Sequence, residues 1–443
     1  MESFEKKITS AILNLIRSRR AASAADLDTS VHASAPIAPA KIREARFSDF
    51  DAVARLKQRG GLHPDSFENW LRLWRLNPAL LRHEIKRPIG WVLEADGAIV
   101  GYLGNISLSY RYGDKTLTAV TAHGLVVDLP YRAVGLTLVA AFFRQKSVDL
   151  FISTTAIEAV GKIALAFKSS PLPQPDYDTA LFWVLRPHGF ARALMHKLKT
   201  GPALSQIGAV LTSLALGADK IRRRSPRHIS SSLTIREIGI HEIGDEFQAL
   251  WAAKQKESLR LLADRSPAAL RWHFEIPGDR GSANVLCCYQ DSELVGYTVL
   301  RNDANSENGL RTSIVADLVA KDDDDDVVQN LLSAAYQRAK NAGSHTFELL
   351  GFPSSIRQAA LAWNPYRRRY PACPFFYKAA TPELHKALSD TTAWYASPYD
   401  GDATLIRPSY ATTARPENST QETRNTAANP LPAILEQEHS EVF

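Results

Sequence analysis

The segment His123-Gly124-Leu125-Val126-Val127-Asp128-Leu129-Pro130-Tyr131-Arg132-Ala133-Val134-Gly135-Leu136-Thr137 decides how this chain is read. An apolar run, Leu125 to Val127, leads into a short turn, and a helical pattern leaves it from Gly135 to Lys146. At a strand-to-helix junction several backbone N–H groups lack helical partners and the helix dipole is positive. Gly135 lets the backbone approach a ligand, and Arg132 adds charge, so the pattern predicts a phosphate cradle.

The surroundings of this segment occur twice. Ile42-Arg43-Glu44 returns as Ile235-Arg236-Glu237, an offset of 235 − 42 = 193. Val100-Gly101-Tyr102 returns as Val295-Gly296-Tyr297 at an offset of 195, and Leu125 returns as Leu318 at 193. Matches in constant order and spacing predict two copies of one α/β fold. The copies part at the junction, where the second reads Asp322-Asp323-Asp324-Asp325-Asp326. Neighbouring carboxylates about 5 Å apart repel by roughly 1–3 kcal/mol per pair. The second copy is therefore expected to refuse a diphosphate. Acids at a helix start also complement its dipole, which explains the run without any ligand.

Working outward, the periodicity predicts strands at Ile42–Ala45, Trp91–Glu94, Ile99–Leu103, Thr116–Val127 and Leu150–Ser153, and a closing strand at Ala180–Leu185. Ser48 is expected to cap a helix over Asp49–Lys57, and further helices are expected over Asp65–Leu76 and Ala156–Phe167. Asp96-Gly97 marks a hairpin. The second copy is expected to hold strands at Asn284–Gln290, Leu294–Leu300 and Thr346–Leu350, with helices at Asp326–Asn341 and Ser355–Trp363. The division that follows is an N-terminal amphipathic helix and linker (1–40), a first unit (41–187), a helical connector (188–232), a second unit (233–410) and a disordered tail (411–443).

A net charge of +6 on 443 residues is no nucleic-acid signature, and DNA is not expected as a partner. The three cysteines form no CxxC pair, so no metal site is expected. No run reaches the ~20 apolar residues that cross a bilayer. The expected compartment is the cytoplasm, with peripheral membrane contact open to the helix of residues 1–20.

Helix pair, hairpin, strand, Arg132-x-x-Gly135 loop, helix, strand, helix and strand is an order that resembles the GNAT (N-acetyltransferase) superfamily. The match carries Leu125-Val126-Val127 as the strand end and Arg132 to Thr137 as the pyrophosphate loop, with Thr137 where that family has Gly or Ala. The resemblance implies two tandem GNAT-like folds, the second degenerate. It also implies acetyl-CoA or another acyl-CoA as co-substrate, and direct attack by a small-molecule amine or amino-sugar acceptor. Cofactor contacts are then expected from Leu125, Val126, Val127, Arg132, Ala133, Val134, Gly135, Leu136 and Thr137. The tyrosine common on the later helix as general acid is missing, and Phe167 stands near its place.

An attacking amine must lose a proton, so a base is needed. His123, with its suitable intrinsic pKa, is the first candidate, and Glu158 through a water the second. The bland alternatives are a strand histidine satisfied by its neighbours and an ordinary helix-surface charge. In the second copy, Trp394-Tyr395-x-Ser397-x-x-Asp400-Gly401-Asp402 reads as an acceptor pocket or as a turn packed by aromatics. Two other functions remain open: a Fem-type tRNA-dependent aminoacyltransferase, and a non-catalytic GNAT-fold binding or scaffold protein.

Overall fold

The computed structural model describes residues 38–81, 86–156, 158–197, 210, 232–277, 283–304, 308–370 and 375–405. The expected N-terminal helix, nearly all of its linker, most of the helical connector and the tail from 411 lie outside these residues. Among the described residues no helix is long and apolar enough to cross a membrane.

The first half contributes β1 (Lys41–Glu44), β2 (Gly90–Ala95), β3 (Ala98–Tyr112), β4 (Lys115–Val127), β5 (Leu150–Ser153), β6 (Ser170–Pro171) and β7 (Thr179–Val184). The second half contributes β8 (Leu233–Ile238), β9 (Leu261–Ala263), β10 (Ala283–Gln290), β11 (Glu293–Ala304), β12 (Arg311–Ala320), β13 (Thr346–Leu349), β14 (Tyr366–Arg369) and β15 (Phe376–Ala379). One sheet runs β1-β2-β3-β4-β5-β15-β6, with β9 beside β3, and the other runs β14-β7-β13-β12-β11-β10-β8. Read from their outer strands, β1-β2-β3-β4-β5 and β8-β10-β11-β12-β13 are the same mixed α/β topology. Each contains one parallel pair, β4 with β5 and β12 with β13.

The closing strands are exchanged. β7 was expected to complete the first unit, but it pairs antiparallel with β13 in the second sheet. β15 in turn crosses over to β5 in the first. A cut at 187 or 233 therefore does not separate the sheets. The cause is visible locally: β5 and β13 are four residues each and buried, so each needs a partner on its second edge. Either closing strand satisfies that need.

Local expectations hold with small shifts. Asp96 and Gly97 both take positive φ (48° and 73°), as a two-residue hairpin turn between β2 and β3 demands. Ser48 is not the helix cap. The chain makes a 3-10 turn over Phe47–Asp49, and the helix runs Phe50–Arg59. The Asp49 carboxylate accepts from the Arg46 N–H at 2.8 Å and pairs with Arg43 at 2.8 Å. The next helix is Phe67–Arg75, capped by Ser66, whose Oγ accepts from the Asn69 N–H. Starting two residues later than expected frees Asp65 for the interior. Trp70 and Trp74 meet edge to face at 4.7 Å and anchor this helix on β3 through Tyr102. A helix at Pro187–Lys197, which periodicity did not single out, follows β7 just as the helix Pro382–Leu388 follows β15.

Candidate acyl site in the first half

β4 and β5 pair only over Ala119–Thr121 and Leu150–Ile152. Beyond that point β4 bulges: Gly104 faces His123 and Tyr102 faces Val126, so Gly124 and Leu125 together oppose the single Leu103. Gly124 takes φ +64° there. The two parallel strands therefore part at their C-terminal ends. A cavity of ≈ 500 Å³, counted to its mouth, opens between them. Leu125, Phe142, Phe143, Ile163, Ala164 and Phe376 give it apolar walls, and Ser153 and Ser169 are its only polar lining. Phe376 comes from the exchanged strand β15, so the second half supplies one wall. Phe167 stacks on Phe143 at 5.2 Å, adding apolar surface and no proton donor.

Residues 132–137 lie at the strand-to-helix junction, as expected, with the helix spanning Leu136–Phe143. Arg132, Ala133, Val134, Leu136 and Thr137 are exposed. The turn nevertheless uses several of its own donors. The Gly135 N–H reaches the Tyr131 carbonyl at 3.0 Å, Thr137 N–H reaches Val134 at 2.9 Å, and Leu138 N–H reaches Gly135 at 3.1 Å. The Thr137 hydroxyl also donates to the Val134 carbonyl, at 2.7 Å. Gly135 is buried, and a Cβ there would stand 2.9 Å from Val127 Cγ2. This glycine is needed to seat the turn on β4. Leu125 and Val127 face the cavity-side core while Val126 faces the main core, as alternation along a strand requires.

His123 is 5% exposed. Its Nε2 lies 3.3 Å from Asp65 Oδ2 and 3.3 Å from Lys57 Nζ, and its Nδ1 lies 3.5 Å from Asp402 Oδ2. Lys57 Nζ is 2.6 Å from Asp65, and Thr154 and Thr155 hydroxyls hold the other Asp402 oxygen. Burial and the Lys57 charge lower the His123 pKa, but the bonds to Asp402 and Asp65 outweigh them and leave it raised. Asp65, though buried, is held well below the usual carboxylate range by His123 and Lys57. An imidazole whose two nitrogens face Asp402, Asp65 and Lys57 has no free nitrogen for an acceptor's proton. Glu158 stands on the surface, 2.9 Å from Lys162, and is 76% exposed. Neither expected base therefore faces the cavity: the histidine is bound within a buried ionic centre, and the glutamate is a helix-surface charge. Sequence spacing missed Asp65, Lys57 and Asp402, since Asp402 is 279 residues from His123.

Between the parted strands of the second half lies the chain itself, beside a wider, more open cleft bordered by Asp322, Asp323, Ser355 and Trp394. β12 and β13 pair over Thr312–Ile314 and Thr346–Glu348, and β12 also bulges, with Val299 facing Asp317 and Leu300 facing Val315. Against this bulge lies the segment 393–399. The Tyr395 hydroxyl donates to the Leu318 carbonyl at 2.9 Å, at the position matching Leu125. Ser397 Oγ donates to Asp317 Oδ1 at 3.1 Å, and Gln174 bonds Ala396 through both its N–H and its carbonyl. Asp317, 0% exposed, also accepts from Arg265 at 2.9 and 3.0 Å and from the Tyr297 hydroxyl at 2.9 Å. Asp400 and Asp402 are buried too, so the Trp394–Asp402 stretch is the aromatic-packed turn and not an open acceptor pocket.

The aspartate run is likewise accounted for. Asp323 receives Lys254 at 2.6 Å, Arg260 at 2.7 Å and Ser355 at 3.0 Å. Asp324 caps the helix Asp325–Asn341 by accepting from the Val327 N–H at 2.9 Å. The cations beside this turn are thus held by a side-chain carboxylate.

No protein-family model matches the chain, and no curated protein matches its sequence significantly. Solved structures do. A GCN5-related N-acetyltransferase from Anabaena variabilis ATCC 29413 superposes with a TM-score of 0.50 at 8% identity, covering 77% of this chain and 73% of that one. A conserved protein of unknown function from Enterococcus faecalis V583, named a probable N-acyltransferase, gives 0.50, 8%, 77% and 73%. Saccharomyces cerevisiae N-myristoyltransferase with bound myristoyl-CoA gives 0.48 at 13% identity, covering 79% and 85%. The chain has the GNAT fold.

Proposed function

We propose that the first half binds an acyl-CoA in the gap between β4 and β5 and that the protein transfers the acyl group to a small amine or amino-sugar acceptor. One observation carries this reading. The parted strands of a GNAT fold leave an apolar cavity open in one half, and the same gap in the other half is filled by the chain itself. The acyl end enters among Leu125, Phe143 and Phe376. Arg132 stands at the exposed turn, where a diphosphate would gain a charge-assisted bond. Backbone N–H groups beside the bulge at Gly124 and Leu125 would serve as donors to the thioester carbonyl, and such a donor is often worth ~2.7–4 kcal/mol to a tetrahedral oxyanion. The cavity lining has no titratable side chain. The acceptor's proton is therefore released to water, and the rate should rise with pH until the acceptor itself is neutral.

The same lining favours a second reading, a protein that binds acyl-CoA without turning it over. Calorimetry with acetyl-CoA and longer acyl-CoAs, alongside CoA release against a panel of amines, separates the two. Binding with release establishes the transferase, and binding without release establishes the sensor. Absence of binding to any acyl-CoA removes both.

A further inference from the structure

The sheet ends opposite the two gaps differ in charge. In the first half, the residue before β5 is Asp149. Its N–H donates to the Thr118 carbonyl at 2.9 Å, and its carboxylate accepts from the Thr118 N–H at 2.8 Å. The exchanged strand β15 is tied there by Ala380 N–H to the Asp149 carbonyl at 2.8 Å. The second half repeats each bond with a different residue. His345 N–H donates to the Arg311 carbonyl at 2.7 Å, the His345 ring nitrogen Nδ1 accepts from the Arg311 N–H at 3.3 Å, and Leu185 N–H reaches the His345 carbonyl at 2.8 Å.

Around this substituted position cations accumulate. Arg311 Nη2 lies 3.3 Å from His345 Nε2. The Arg186 and Arg311 guanidinium groups converge beside Gly343, where a Cβ would stand 3.5 and 3.8 Å from their Nη2 atoms, and burial with the charges of Arg311, Arg192 and Arg186 holds the His345 pKa down. All three arginines are exposed, and among the described residues none has a carboxylate partner. The helix Pro187–Lys197 starts here, and its Gly189 packs so closely on the His345 ring that a Cβ would stand 2.5 Å from it. The positive end of an 11-residue helix therefore adds to the arginines. Three like charges around one imidazole repel one another unless an anion joins them. β12, which starts at Arg311, spans ten residues, so this surface lies on the order of 30 Å from the aspartate turn at its other end.

We propose that Arg186, Arg192 and Arg311, at the N-terminal ends of β12 and β13, bind a phosphate group of a ligand distinct from the acyl donor. Guanidinium forks suit the tetrahedral oxygens of a phosphate, whether it belongs to a soluble phosphoester or to a phospholipid headgroup. His345 serves as the packed floor of the site.

The test titrates the full chain with inorganic pyrophosphate by calorimetry at low salt, and separately sediments it with phosphatidylcholine vesicles with and without phosphatidylglycerol. Both are repeated on the Arg186→Gln/Arg192→Gln/Arg311→Gln variant, whose Arg132 is intact. The expected result is saturable binding that weakens at least about tenfold in the variant, with unchanged thermal stability. Loss confined to pyrophosphate assigns a soluble phosphate, and loss confined to the anionic vesicles assigns a headgroup. Loss of both assigns a site that reads the phosphate itself. Binding of equal strength in both proteins, or no binding to either probe, overturns the proposal.

Discussion

The two halves hold the same parted strands and put different things between them. In the first, β4 bulges at Gly124 and leaves an apolar cavity, with an arginine at the exposed turn and no acid in that turn. In the second, β12 bulges at Ala316, but Tyr395 and Ser397 occupy the gap, and Asp323 takes the cationic contacts beside it. A duplicated fold can thus keep its backbone device twice and spend one copy on holding its own C-terminal segment. The ionic centres differ to match. Lys57, Asp65, His123 and Asp402 join β4 to that segment, while Arg265, Asp317 and Ser397 join β12 to it.

Breaking either centre should give the largest effect. Arg265→Met leaves Asp317 charged and fully buried, and Asp65→Asn leaves Lys57 buried without its carboxylate. Each should cost about 3–5 kcal/mol in urea unfolding. If Arg265→Met costs far more than Asp65→Asn, the second half is the structural anchor and the first is the more tolerant, functional one.

pH gives the next effect. Burial raises the Asp400 carboxyl to about 6, against the Arg265 charge and the Ser397 and Tyr110 bonds, which lower it. A raised carboxyl binds its proton more tightly in the folded state. Its stabilisation is full below the unfolded value near 4 and is lost as pH rises through about 6, on the order of 2–3 kcal/mol. The raised His123 acts in the same sense, with stabilisation present below pH 6.5 and lost as pH rises through its folded value. His273 and His345, whose pKa values burial lowers, act in the opposite sense, so the test is a difference: between pH 4 and 6 the melting temperature of the parent should fall relative to that of Asp400→Asn. A melting temperature of the parent that does not fall relative to Asp400→Asn over that range contradicts the raised carboxyl of Asp400.

Smaller effects concern the open cavity. Val160→Trp, at the cavity wall, should weaken acyl-CoA binding by about tenfold, equivalent to 1.4 kcal/mol, without lowering the melting temperature. Arg132→Gln should weaken it only a few-fold, because an exposed charge–charge contact is worth about 0.2–1 kcal/mol. A larger loss with Arg132→Gln than with Val160→Trp would mean that the diphosphate contact, and not the cavity, sets the affinity.

Much of this was legible in the sequence for a physical reason. Strand alternation, the Asp96-Gly97 turn and the Ile-Arg-Glu and Val-Gly-Tyr echoes are local, and they locate β1, β3, β8 and β11 correctly. The junction at 132–137 and the capping role of the acidic run were readable in the same way. The strand exchange was not, since β7 and β15 are short apolar strands that fit either sheet equally well. The ionic centre was hidden because Asp402 comes from another half of the chain, and because Asp65 is free only when Ser66 takes over as helix cap. Leu125, singled out in the sequence, lines the cavity. Phe376, which walls the same cavity, arrives by the exchange and has no nearby signal.

The most direct test is a crystal structure of the intact protein soaked with acetyl-CoA. The account predicts pantetheine density between β4 and β5, the acyl end toward Phe143 and Phe376, and the diphosphate over Arg132. Density for the cofactor against Asp322 and Asp323, with the first gap empty, would contradict it.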